Sequence, residues 1–239
     1  MSRAAWLWAT AAAMMVLILV VGAGVGIWAW KMLHSSYKGY SEAELLHEVL
    51  PGQDAGSILQ ELEAKGVVND AFLARLYLVR VLGDPPLRAG EYRFDTPLTV
   101  PEILDKLVMG DVVTYPVTIV EGLTLGETAA HLAEQGFGDE PSFLEEMLSA
   151  GRISELDPEA SSLEGYLFPD TYSFAKGTSE DEIVSALVST FVRLFERDVR
   201  PALLPEDERT PRQIVILASI VEKEARLDEE RPTIAGVYV

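Results

Sequence analysis

The chain of 239 residues carries 38 acidic and 19 basic side chains, a formal net charge of −19, and it contains no cysteine. So acidic a protein repels nucleic acid, and no stretch supplies a basic face to offset this, so no nucleic-acid partner is expected. Disulfide and thiolate chemistry is excluded, and the three dispersed histidines, His34, His47 and His131, do not suit a histidine-rich metal site or a Ser-His-Asp triad; neither a metal nor another cofactor is expected.

The first 38 residues hold Arg3, Lys31 and Lys38 and no acidic residue. From Ala4 to Trp30 the chain reads A-A-W-L-W-A-T-A-A-A-M-M-V-L-I-L-V-V-G-A-G-V-G-I-W-A-W, without one charge. A membrane-crossing helix needs about 20 such residues. All four tryptophans fall here as two pairs, Trp6/Trp8 and Trp28/Trp30. At about 1.5 Å per residue the pairs lie roughly 33 Å apart, which predicts one pair at each water interface. The length of the run and the lack of a small-x-small cleavage site argue against a removable signal peptide. Residues 1–38 therefore read as a short cytoplasmic N-terminus and a single membrane anchor. A plain count of Lys31 and Lys38 against Arg3 runs the other way, but the short N-terminus and the large acidic body place the bulk of the chain outside the plasma (inner) membrane.

Residues 39–114 read as a small α+β module. Gln53 to Lys65 sets Ile58, Leu59 and Leu62 at helical spacing, and Gly66 stops the helix. A more apolar helix is predicted from Ala71 to Leu82, a strand over Gly90–Phe94, and a third helix after the start signal Thr99-Val100-Pro101-Glu102. Part of this pattern returns 70 residues later, with Gly52/Gly122, Gly56/Gly126, Leu62/Leu132 and Gly66/Gly136 in register. Each copy is followed by a Phe-Leu pair, Phe72-Leu73 and Phe143-Leu144. A strand, turn and short helix used twice explains this. The spacing resembles LysM-type modules, small α/β units that bind N-acetylglucosamine polymers.

Residues 115–239 form the remainder. In E-G-Y-L-F-P-D-T-Y-S-F (164–174), Tyr166 and Phe168 alternate before Pro169-Asp170, and Tyr172 and Phe174 after it. This predicts a hairpin turning at Pro-Asp. Its rings are either a core face or the wall of a cleft flanked by Glu164 and Asp170.

Thr210-Pro211-Arg212-Gln213 signals a capped helix start. At about 100° per residue, Ile214, Leu217, Ala218, Val221 and Ala225 form a predicted buried stripe, while Arg212, Ser219, Lys223 and Arg226 face solvent. Glu222 and Glu224 point about 160° apart and both flank the stripe, so geometry does not choose between them. A carboxyl group on such a border, partly withdrawn from water, favours the protonated acid. Ordinary glycosidases need two carboxyl groups, whereas a reaction in which the sugar's own hydroxyl is the nucleophile needs one.

V-T-I-V-E-G-L-T-L (117–125), L-E-G-Y-L-F-P-D-T-Y-S-F (163–174) and L-A-S-I-V-E-K-E-A (217–225), in this order after one membrane span, resemble the endolytic murein transglycosylases, the MltG/YceG-like family. The resemblance implies a LysM-like subdomain followed by an α+β catalytic domain that cleaves the β-1,4 bond between N-acetylmuramic acid and N-acetylglucosamine within peptidoglycan glycan strands. Such cleavage leaves 1,6-anhydro-muramyl ends and terminates nascent strands, with peptidoglycan synthases as partners. It assigns the catalytic acid to Glu222 and substrate binding to Glu164, Tyr166, Asp170, Tyr172 and Glu224. The family continues past the G-V-Y-V position with an asparagine-arginine-leucine stretch and an L-Q-x-D-P-T-V-type segment. This sequence ends at Val239, so the catalytic domain is expected to be incomplete, without the segments that complete the family's active site.

Two other readings compete. A tethered, non-enzymatic peptidoglycan binder or scaffold would use the repeats and the aromatic rings. A Ser219/Lys223 hydrolase has the four-residue spacing on one helix face, but lacks a supporting motif, and that face is the predicted solvent side.

Overall fold

The computed structural model describes residues 3–204 and 208–238, with side chains from residue 14 onward. It is a mixed α and β structure that divides into two compact units, Met1–Val113 and Thr114–Val239.

The first unit opens with α1, Arg3–Leu33. Within it Met14–Leu33 has a mean hydropathy of 2.0, and none of this stretch is packed inside the protein. It is long and apolar enough to cross a membrane. The predicted flank at Trp6 and Trp8 lies outside the described side chains. Strand β1 (Leu45–Val49) pairs antiparallel with β2 (Gly90–Phe94), His47 opposite Tyr92. Between them run α2 (Ala55–Ala64) and α3 (Ala71–Arg80), and α4 (Val100–Met109) follows. Thr99 and Glu102 form the capping box expected of the start signal of α4, and the Asp54 carboxylate caps α2 by accepting the Gly56 and Ser57 N–H groups. Ile58, Leu59, Leu62, Leu78, Tyr92 and Leu104 lie in the core between the helices and the two-stranded sheet.

In the second unit β3 (Thr114–Thr118) leads into α5 (Leu125–Glu134) and α6 (Glu140–Leu148). A 3-10 turn and an irregular segment reach β4 (Thr171–Ala175), and α7 follows (Glu180–Leu194). Helix α8 (Pro211–Glu224) and α9 (Arg231–Tyr238) complete the described chain.

The repeat is structural. Each unit contains strand, helix, helix, strand, with the two strands paired antiparallel. Gly52 and Gly122 before the first helix, and Gly66 and Gly136 after it, all adopt left-handed φ between 74° and 84°. Both first helices end in the same way. Gly66 and Val67 donate to Glu63 and Leu62, as Gly136 and Phe137 do to Ala133 and Leu132, the paired bonds of a Schellman motif.

The Phe-Leu pairs, in contrast, are not equivalent. Phe143 is fully buried in the second unit, whereas Phe72 is 75% exposed. In the first unit Ala74 and Leu78 fill the inward positions of the second helix.

The predicted aromatic hairpin does not form. Strand β4 pairs with β3, Val117 opposite Tyr172. The segment before it bonds elsewhere: Leu163 N–H to the Met147 carbonyl, Tyr166 N–H to Leu163, and Phe168 N–H to Leu187. Pro169 has no N–H to offer a ladder.

Candidate active site

Thr210 and Gln213 close the capping box that starts α8, with Pro211 at its first turn. Most of the predicted stripe of this helix faces inward, but its first turn departs from the expectation. Val221 is buried, and Ile214 and Val215 pack against the core of this unit. Leu217 and Ala225 are half-buried and Ala218 is exposed. The cause is Arg212, expected on the solvent side. Its Nε donates to Oδ2 of buried Asp157 at 2.8 Å, and the Tyr166 hydroxyl donates to the same oxygen at 2.5 Å. This turns the Arg212 side of α8 toward the loop that carries the E-G-Y motif. A groove of about 220 Å³ there is lined by Ser161, Ser162, Glu164, Tyr166, Arg212 and Ile216.

The electrostatics follow from burial and pairing. Burial pushes the Asp157 carboxyl up, but the hydrogen bonds from Tyr166 and Arg212, the Arg212 charge and the Glu159 N–H outweigh it and hold it below its ordinary value. Burial, then the bond to Asp157 and its charge, push the Tyr166 hydroxyl up to about 12. Neither Asp157 nor the inward turn of Arg212 had a signal in the sequence; the motif pattern passes over both.

The second motif packs against the start of α8 and is bonded to the first motif. Gly165 has a φ of 82°, and a Cβ placed on it would lie 2.8 Å from Val215 Cγ1, so the second motif touches α8 backbone to side chain. Glu164 Oε2 accepts the N–H of Leu125 at 3.1 Å, at the first turn of α5, which binds the second motif to the first. The Glu127 carboxyl is held low by the Thr124 N–H and hydroxyl, with a smaller pull from the charge of Lys223.

The expected site residues fall into distinct positions. Glu222 and Glu224 are both exposed in the last turn of α8. Seven residues cover about 700°, so Glu222 lies within about 20° of Val215, on the side that meets Gly165. Glu224 instead lines a separate hollow with Arg226, Glu229, Thr233 and Tyr238 around α9. Exposure of Glu222 differs from the expected half-buried border. Asp170 is exposed, its carbonyl accepting from Ile119 where the β3–β4 pairing ends.

Tyr172 is half-buried, stacks on Phe174 at 5.9 Å, and donates its hydroxyl to the Phe168 carbonyl. Burial raises its pKa. Both tyrosines thus have their hydroxyls bonded within the protein, and only Tyr166 lines the groove. Ser219 donates to the Ile216 carbonyl one turn back, on the face that was expected to be open to solvent.

The YceG-like family matches residues 47–239. The chain belongs to this family. It is 24% identical over 208 residues to an endolytic murein transglycosylase of Bacillus subtilis (strain 168), covering 79% of this chain and 56% of that protein. It is 27% identical over 222 residues to an endolytic murein transglycosylase of Streptococcus pneumoniae serotype 2 (strain D39), covering 80% of this chain and 39% of that protein. The YceG-like chain therefore spans about half or less of the length of these relatives. A crystal structure of a YceG-like protein from Listeria monocytogenes is similar at 26% identity and a TM-score of 0.42, over 80% of this chain and 67% of that one.

Proposed function

We propose that this chain carries the catalytic acid of an endolytic peptidoglycan lytic transglycosylase, anchored by α1 in the plasma membrane with the rest of the chain outside. One observation carries the reading: the Gly165–Val215 contact joins the E-G-Y motif to the face of α8 on which Glu222 lies. The names of the similar proteins support the same activity.

In this reaction Glu222 gives its proton to the oxygen that links C1 of N-acetylmuramic acid to C4 of N-acetylglucosamine. The C1–O bond breaks, and the C6 hydroxyl oxygen of the same muramyl sugar bonds to C1. The Glu222 carboxylate takes the proton released from that hydroxyl. The product end is a 1,6-anhydro sugar, no water is consumed, and a single carboxyl group serves both transfers. Glu164, Tyr166 and Asp170 line the strand-binding cleft, Tyr172 supports it from within the core, and Glu224 contacts the strand on the α9 side. The β-α-α-β module of residues 39–114, with its LysM-like spacing, holds the glycan strand. Peptidoglycan synthases are the partners whose nascent strands are cut.

Mass spectrometry of muropeptides, after incubation of peptidoglycan with the full chain and with Glu222→Gln, tests this. New anhydro-muramyl ends are expected with the native residue and not with the variant. Ends that persist in Glu222→Gln move the acid elsewhere. Wall binding without any new ends establishes a tethered binder.

A further inference from the structure

Helix α3 has two apolar faces. Ala71, Ala74 and Leu78 enter the core of the first unit, while Phe72, Leu76 and Val79 remain 75%, 44% and 38% exposed. Those three recur at i, i+4 and i+7 and so form one stripe along the helix. An isolated exposed apolar side chain needs no explanation, but an ordered stripe on a helix already packed through its other face does.

The position of α3 indicates what covers the stripe. Asn69, just before α3, donates its side-chain amide to the Met32 carbonyl in the last turn of α1. Trp30 stacks on His34 at 4.6 Å, and His34 meets the edge of Tyr77 in α3 at 6.2 Å. Trp30 is exposed near the end of the apolar run, where a tryptophan marks the lipid–water boundary. Asn69 and Tyr77 thus attach α3, about 15 Å long, to the end of α1 at two points. The helix carries Arg75, which pairs with Asp84 just beyond it, exposed Arg80 and no acidic residue, in a chain with twice as many acids as bases. An apolar stripe beside arginines suits a helix lying in the headgroup region.

We propose that α3 is an interfacial helix, with Phe72, Leu76 and Val79 inserted into the outer surface of the same lipid bilayer that α1 crosses. This rests on the membrane-span reading of α1. It holds the first unit flat on the membrane through a second contact and limits how far residues 39–114 can tilt from the lipid surface.

The chain has no cysteine, so single cysteines can be introduced into the full-length protein and labelled with a polarity-sensitive fluorophore. Positions 72, 76 and 79 test the stripe, Val21→Cys reports on α1, and Glu63→Cys on exposed α2 is the water control. The protein is reconstituted into phosphatidylcholine–phosphatidylglycerol vesicles with or without a phospholipid bearing a nitroxide near the headgroup. Blue-shifted emission at 72, 76 and 79, quenched by the shallow nitroxide while 63 is not, is the expected result. Blue-shifted emission at 21 with water-like emission at the three stripe positions overturns the proposal and leaves the span intact. Blue-shifted stripe labels that the nitroxide lipid does not quench assign the stripe to a protein partner and also overturn it. Water-like emission at 21 removes the span reading, and the proposal with it.

Discussion

Arg212 and Tyr166 converge on one oxygen, Oδ2 of Asp157, at 2.8 and 2.5 Å. A hydrogen bond to a charged acceptor contributes about 1.5–3 kcal/mol, so Tyr166→Phe is expected to lower unfolding stability by about 2 kcal/mol. Arg212→Ala leaves the carboxylate with one partner fewer and frees the start of α8. In the proposed reaction this lowers kcat more than it raises KM, because the helix carrying Glu222 loses its alignment. Urea unfolding and steady-state kinetics of both variants check this; Arg212→Ala with native kcat removes the alignment role.

Gly165 of the second motif packs against Val215 of α8. An alanine at position 165 meets two penalties, a left-handed backbone costing about 1–2 kcal/mol and a Cβ 2.8 Å from Val215 Cγ1. Gly165→Ala is expected to destabilise the second unit and to reduce activity. Adding Val215→Ala recovers only the steric part. A double-mutant cycle measures the split, and full recovery in the double variant rules out the backbone strain.

His47 gives the first unit an acid-sensitive point. It is buried, its Nδ1 accepts from Lys65 Nζ at 2.8 Å, and Glu61 lies 3.6 Å from Nε2. Burial, and then the Lys65 charge, lower its pKa against a smaller opposing pull from Glu61. The unfolded chain therefore takes up the proton first as pH falls. Stability is complete above the unfolded pKa of about 6.5 and declines below it. Chemical unfolding between pH 7.5 and 5.5 should show this decline, and His47→Gln should flatten it; an unchanged slope in the variant places the titration elsewhere.

Local features were readable where a short stretch determines its own geometry. The Gly66 stop, the Thr99–Glu102 and Thr210–Gln213 boxes, and strand Gly90–Phe94 each rest on neighbours within a few residues. What escaped depends on distant partners. Strand β4 chose β3, more than fifty residues earlier, over the adjacent E-G-Y segment, because that segment's N–H groups are bonded elsewhere and Pro169 has none. The side of α8 on which Arg212 lies was misjudged because a hydrophobic wheel counts apolar residues and gives no weight to one arginine paired with a buried aspartate. Matching letters misled in a similar way at Phe72 and Phe143, which sit on opposite faces of corresponding helices. The way Arg212 and Tyr166 converge depends on Asp157, which belongs to none of the motifs.

Glu164 has two possible duties, and they are separable. Its Oε2 accepts the Leu125 N–H at 3.1 Å, where a negative charge favours the start of α5 by about 0.3–1 kcal/mol. It also lines the groove beside Tyr166 and Arg212. Glu164→Gln keeps an acceptor oxygen and removes the charge. If the residue only caps α5, the variant loses a few tenths to about 1 kcal/mol of stability and KM for glycan strands is unchanged. As a cleft-lining residue it should instead raise KM several-fold while kcat falls little, since the proton transfers assigned to Glu222 remain in place. The expected outcome is a raised KM together with the small stability loss. A native KM in a correctly folded Glu164→Gln protein confines Glu164 to capping and leaves strand binding to the rest of the groove.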